Sequence, residues 1–209
     1  WIAAPLLVDD TIYAPNADNF LYALNLDGSV RWTFESGNPI WAAPVYNDGL
    51  LYVASMDESL YALEADNGMI VWQTELGGTM LNNAHLGEDG VLYIGTFNSE
   101  VLALDSQSGN ILWRFTTEDW VWGTPILSEG VLYATDLSGK VYAIDSTDQS
   151  ILWQYKANGA ISGSVVLVDE MICFASQGGT LYCLNLEGGL RWQASLSEED
   201  SEFAGTPIA

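Results

Sequence analysis

Basic side chains are almost missing from this chain. Five of them, Arg31, Arg114, Lys140, Lys156 and Arg191, stand against 28 acids in 209 residues, for a net charge of -23. A surface of that sign repels phosphate backbones and anionic membrane surfaces, which argues against nucleic acid as a partner. Histidine is scarcer still: His85 is the only one, so a histidine-rich metal site and a paired His-x-x-x-His arrangement are both excluded. A Ser-His-Asp triad would have to use His85, and no Gly-x-Ser-x-Gly elbow, phosphate loop or Gly-x-Gly-x-x-Gly turn accompanies it. No stretch approaches the roughly 18 apolar residues of a membrane span, so no membrane insertion by this segment is expected.

Tryptophan, by contrast, is abundant, and five of the nine fall at regular steps: Trp32, Trp72, Trp113, Trp153 and Trp192. Spacings of 40, 41, 40 and 39 residues mean a repeat protein. Each closes a similar phrase, such as Ala62-Leu63-Glu64-Ala65-Asp66-Asn67-Gly68-Met69-Ile70-Val71-Trp72. Within the second copy four short strands can be read: Ala42 to Tyr46, Leu50 to Ala54, Leu60 to Leu63 and Ile70 to Gln73. Asn47-Asp48-Gly49 and Asp66-Asn67-Gly68 supply turn residues that tolerate positive φ. Tyr13, Tyr52, Tyr93, Tyr133 and Cys173 align in the second strand, and Tyr22, Tyr61, Leu102, Tyr142 and Tyr182 in the third. Pro5, Pro44, His85, Pro125 and Val165 are aligned in the first. The expected fold is all-β, a β-propeller of four-stranded antiparallel blades. Repeats fall at about 1–40, 41–80, 81–121, 122–161 and 162–202, with the start of a sixth at 203–209. Because both ends read as the beginning of a blade, the expectation is a segment of a ring of six to eight blades.

The phrase Ala-x-Asp-x-x-x-Gly-x-x-x-Trp resembles the tryptophan-docking motif of the pyrroloquinoline-quinone-type (quinoprotein-like) propellers. Ala62, Glu64, Gly68 and Trp72 match it, as do Ala103, Asp105, Gly109 and Trp113; Gln149 stands where the fourth copy should have glycine. The resemblance covers essentially the whole chain and implies that Trp32, Trp72, Trp113, Trp153 and Trp192 dock between neighbouring blades. It also implies three functional settings: non-catalytic propellers such as the outer-membrane assembly lipoproteins, quinone- and calcium-dependent dehydrogenases, and sensor ectodomains of membrane receptors or kinases. Dehydrogenases of this kind carry adjacent cysteines and a cluster of calcium ligands. Here Cys173 and Cys183 are ten residues apart and no such cluster stands out, so no cofactor is assigned.

The two cysteines lie across a hairpin whose register at Gln177-Gly178-Gly179 the sequence leaves open; their replacement of tyrosine and alanine at repeat positions reads as ordinary packing. His85 reads as structural. The turn acids read as a solvated coat divided between two opposite faces. The remaining aromatics, Trp1, Trp41, Trp120 and Trp122, with Phe203 near the end, fall where the chain enters each blade. Together with Asn82, Asn83, Glu118 and Asp119 they form a candidate aromatic and acidic ligand-binding rim at the mouth of a central channel, suited to stacking on sugars or gripping cationic or peptide ligands, whether a protein or a small polar ligand. The functional expectation is an exported, non-catalytic binding or scaffolding propeller.

Overall fold

The computed structural model describes residues 3–195, and within them the chain forms five four-stranded sheets. The first contains β1 (Leu6–Val8), β2 (Thr11–Pro15), β3 (Phe20–Asn25) and β4 (Val30–Glu35); the second β5 (Val45–Asn47), β6 (Leu50–Ala54), β7 (Ser59–Glu64) and β8 (Ile70–Glu75). The third holds β9 (His85–Leu86), β10 (Val91–Thr96), β11 (Glu100–Asp105) and β12 (Ile111–Thr116). The fourth holds β13 (Ile126–Ser128), β14 (Val131–Thr135), β15 (Lys140–Asp145) and β16 (Ile151–Lys156), and the fifth β17 (Val166–Val168), β18 (Met171–Ser176), β19 (Thr180–Asn185) and β20 (Leu190–Ser195). Neighbours in sequence are antiparallel neighbours in space. The fold is all-β, five propeller blades in succession. Trp1, Phe203 and the start of a sixth repeat at 203–209 lie outside the described residues.

The two middle strands of an inner blade read as unbroken apolar runs because both of their faces are covered. In the second blade Leu51, Val53, Tyr61 and Leu63 pack with Tyr13, Leu21 and Phe34 of the first. The alternate residues Tyr52, Ala54, Leu60 and Ala62 pack with Leu92, Ile94 and Leu102 of the third. Equivalent clusters join the third blade to the fourth and the fourth to the fifth. The strand period of two thus gives each blade two apolar faces, one for each neighbour.

Register confirms the alignment of the second- and third-strand tyrosines, and one row crosses every blade: Tyr52↔Ala62↔Trp72, for example, and in the fifth Cys173↔Cys183↔Trp192. Two expectations are corrected. His85 pairs with Tyr93 just as Val45 pairs with Tyr52 and Ile126 with Tyr133. It therefore occupies an aliphatic position, and Ala84 takes the proline's place. Cys173 and Cys183 form a disulfide, because the hairpin register sets them directly opposite each other, with Cα atoms 4.2 Å apart. First strands are also shorter than read: β5 starts at Val45, and Ala42-Ala43-Pro44 precede it.

Candidate functional site

Tryptophans appear in two settings. Those of the fourth strands lie over the tyrosine of the same row, with ring centroids 5.8–6.0 Å apart in the first four blades. Three reach into the following blade: Trp32 Nε1 donates to the Ala65 carbonyl at 3.0 Å, Trp72 to Ser106 at 3.0 Å and Trp153 to Leu186 at 2.7 Å. The motif glycine is explained by the indole of the preceding blade. A Cβ on Gly68 would stand 2.6 Å from the Trp32 ring, one on Gly109 2.5 Å from Trp72, and one on Gly188 2.7 Å from Trp153. All three glycines have positive φ, which costs them nothing. Gln149, at the glycine position of the fourth copy, holds φ 63 without being glycine. Trp192, with no blade beyond it among the described residues, is 43% exposed.

The second setting is the linker between the third and fourth blades, Trp120-Val121-Trp122. Val121 is fully buried, its amide bonded to the Thr96 carbonyl at 3.1 Å and its side chain set against Gly95, where any Cβ would collide with it. In an extended segment residues i and i+2 point the same way, so anchoring Val121 inward turns Trp120 and Trp122 outward, 47% and 41% exposed. Phe97, in the turn between β10 and β11, completes the cluster. It stacks on Trp120 at 4.8 Å and 16°, and lies 5.2 Å from Trp122 at 51°. Phe97 was not singled out from sequence; the available signal was its departure from Met56, Leu137 and Gln177, whose backbone amides make the same inter-blade bond.

The other rim candidates are placed differently. Trp41 is half-buried with its Nε1 enclosed and unpartnered, and Leu81 fills the equivalent place in the blade between it and Trp122. Asn82 is buried and donates to the Val121 and Trp122 carbonyls at 3.2 and 3.0 Å. Asn83 Oδ1 accepts the Ala43 amide at 2.8 Å. Both asparagines thus stitch neighbouring blades together, and Asn82 supports the backbone of the aromatic cluster from beneath.

Several turn acids are also structural. Fully buried Asp136 accepts from the Tyr142 hydroxyl at 2.7 Å, Ser138 at 2.6 Å and the amides of Glu118, Asp119 and Lys140. Asp57 accepts from Tyr61 at 2.6 Å and the Gly37 amide at 2.7 Å. Burial, reinforced by Asp57, pushes the Tyr61 hydroxyl up to about 12; burial with a neighbouring carboxylate likewise raises Tyr93 and Tyr142.

On the opposite face a cleft of about 850 Å³ separates the third and fourth blades, lined by His85, Glu88, Asp89, Leu127 and Glu129 among others. Burial lowers the His85 pKa. Among the described residues no three His, Cys, Asp or Glu side chains come together as a metal-binding group. The cysteines are tied across strands within one blade. These residues do not fit the adjacent-cysteine and calcium arrangement of a quinoprotein dehydrogenase.

A family model described as outer membrane protein assembly factor BamB matches residues 1–85 and 74–208, and the chain belongs to that family. No curated protein sequence matches the chain. Among solved structures, BamB from Moraxella catarrhalis superposes with a TM-score of 0.79 at 21% identity, covering 93% of this chain and 61% of that one. The computationally designed Ika8 protein gives 0.82 at 12% identity, covering 99% and 64%. Quinohemoprotein alcohol dehydrogenase from Comamonas testosteroni gives 0.79 at 15%, covering 94% and 43%. These likenesses show a common fold, and in each case the chain spans less than two thirds of the protein it matches.

Proposed function

We propose that this member of the BamB family is a non-catalytic binding or scaffolding module, part of a propeller of six to eight blades, which holds a partner protein at the rim formed by Phe97, Trp120 and Trp122. One observation carries the reading: three aromatic rings are gathered on the outside of one blade junction while the residue between the two tryptophans is fully buried. Exposed aromatic clusters of this kind are typical anchors of protein interfaces. An extracytoplasmic location accords with the Cys173–Cys183 disulfide, since such bonds persist in oxidising compartments.

The test is comparative. The immobilised protein and its Trp120→Ala/Trp122→Ala double variant are exposed to the same extracytoplasmic extract, with thermal midpoints recorded for both. A protein retained by the parent and released by the equally stable double variant supports the reading. Identical retention by both rejects the rim as the binding surface. Quinone-dependent dye reduction by the purified protein would reject the non-catalytic assignment.

A further inference from the structure

Resting on the rim reading above, we infer that the group it receives is an arginine side chain of the partner. The shape of the cluster comes first. Phe97 and Trp120 stack nearly parallel, at 16°, Trp122 tilts against Phe97 by 51°, and both indoles keep exposed area, 47% and 41%. A planar guanidinium lies flat on an exposed indole face; a compact ammonium gains less from it.

Hydrogen-bond polarity comes second. Asn82 Nδ2, beneath the cluster, is already committed to the Val121 and Trp122 carbonyls. Lys140, the cation of this blade junction, is paired with Glu118. Asp119 spends one carboxylate oxygen on the Trp120 amide at 2.8 Å, and its other oxygen has no partner among the described residues. Beside the exposed rings and the indole N–H donors of Trp120 and Trp122, the rim thus offers a negatively charged acceptor. A guanidinium, with five donors on one positive charge, gains more from that carboxylate than a neutral sugar hydroxyl does. The net charge of -23 draws cations toward the same surface.

The test uses the whole chain and four probes: the capped pentapeptide Gly-Ser-Arg-Ser-Gly, its lysine and citrulline counterparts, and maltotriose. Binding is read from the indole N–H resonances of Trp120 and Trp122. The arginine peptide should shift both resonances, with lysine about three- to fivefold weaker and citrulline, which keeps the shape and loses the charge, without effect. Asp119→Asn should weaken the arginine peptide severalfold, and added salt should weaken it further. If citrulline or maltotriose binds as well as arginine, the arginine assignment falls while the rim survives as a binding surface. If titration calorimetry shows that the arginine peptide binds the Trp120→Ala/Trp122→Ala variant as well as the parent, both readings fall. Absence of a shift with every probe overturns the arginine assignment.

Discussion

Trp72 and Trp122 are the same residue in opposite employments. Trp72 is 9% exposed, hydrogen-bonded into the next blade and seated over a glycine that has no room for a Cβ. Trp122 is 41% exposed, with one contact to a neighbouring ring and its backbone carbonyl held from below by Asn82. The difference arises from strand parity. Trp72 lies in the row that faces the following blade, while Trp122 flanks a buried valine that turns it outward. In a propeller, then, position within the repeat decides whether an indole contributes stability or remains available to a ligand.

The largest expected effect is at the interblade position. Trp72→Ala should destabilise the domain by about 3–5 kcal/mol, because it leaves a large cavity and an unpaired Ser106 carbonyl; denaturant unfolding measures it. Gly109→Ala attacks the same contact from the other side. Positive φ alone costs a non-glycine residue about 1–3 kcal/mol, and the new Cβ must displace the Trp72 ring as well, so the unfolding midpoint should fall clearly. Gln149→Gly is the reverse experiment. Relieving φ 63 should raise stability by about 1 kcal/mol, and an unchanged midpoint would show that Trp113 does not need the notch its counterparts use. Smallest of the mutational effects is Trp122→Ala, expected to cost less than about 1 kcal/mol as an exposed substitution.

Alkali separates the regions without mutation. Tyr61 ionises in the fold near 12 instead of the usual 10, so the unfolded chain loses its proton first. The stabilisation is intact below pH 10 and is lost as pH rises toward 12. Unfolding should therefore accompany tyrosinate absorbance in that window, and Tyr61→Phe should diminish the coupling. Loss of a tyrosinate step near pH 10 on Tyr61→Phe substitution, with the fold intact in both proteins, would contradict the buried Tyr61–Asp57 clamp.

Blade architecture was legible because the repeat restates it five times: the Tyr13, Tyr52, Tyr93 and Tyr133 row and the recurrent tryptophans report register directly. His85 was misplaced by one residue because its copy lacks the proline that marks the first, second and fourth. The Cys173–Cys183 pairing was hidden because it depends on a hairpin register that Gly178-Gly179 leaves free. Of the rim, Trp120 and Trp122 could be found as aromatics outside the repeat. Phe97, marked only by its departure from the residues of the equivalent turns, reaches them from a different loop, and Asn82 and Asn83 announced polarity without revealing that their partners are backbone groups of adjacent blades. Asp57 read as part of the solvated coat, and Asp136 did not stand out, for the same reason: sequence shows a carboxylate in a turn and not the donors folded around it.

Hydrogen exchange of the indole N–H groups in the unmodified protein tests the contrast most directly. Trp32, Trp72 and Trp153 donate to carbonyls of the following blade, and their protons should exchange only through opening of a blade interface. Those of Trp120 and Trp122 should be lost far sooner. Equal protection of the two sets, or rapid loss from Trp72, would contradict the division of labour between interblade and rim tryptophans.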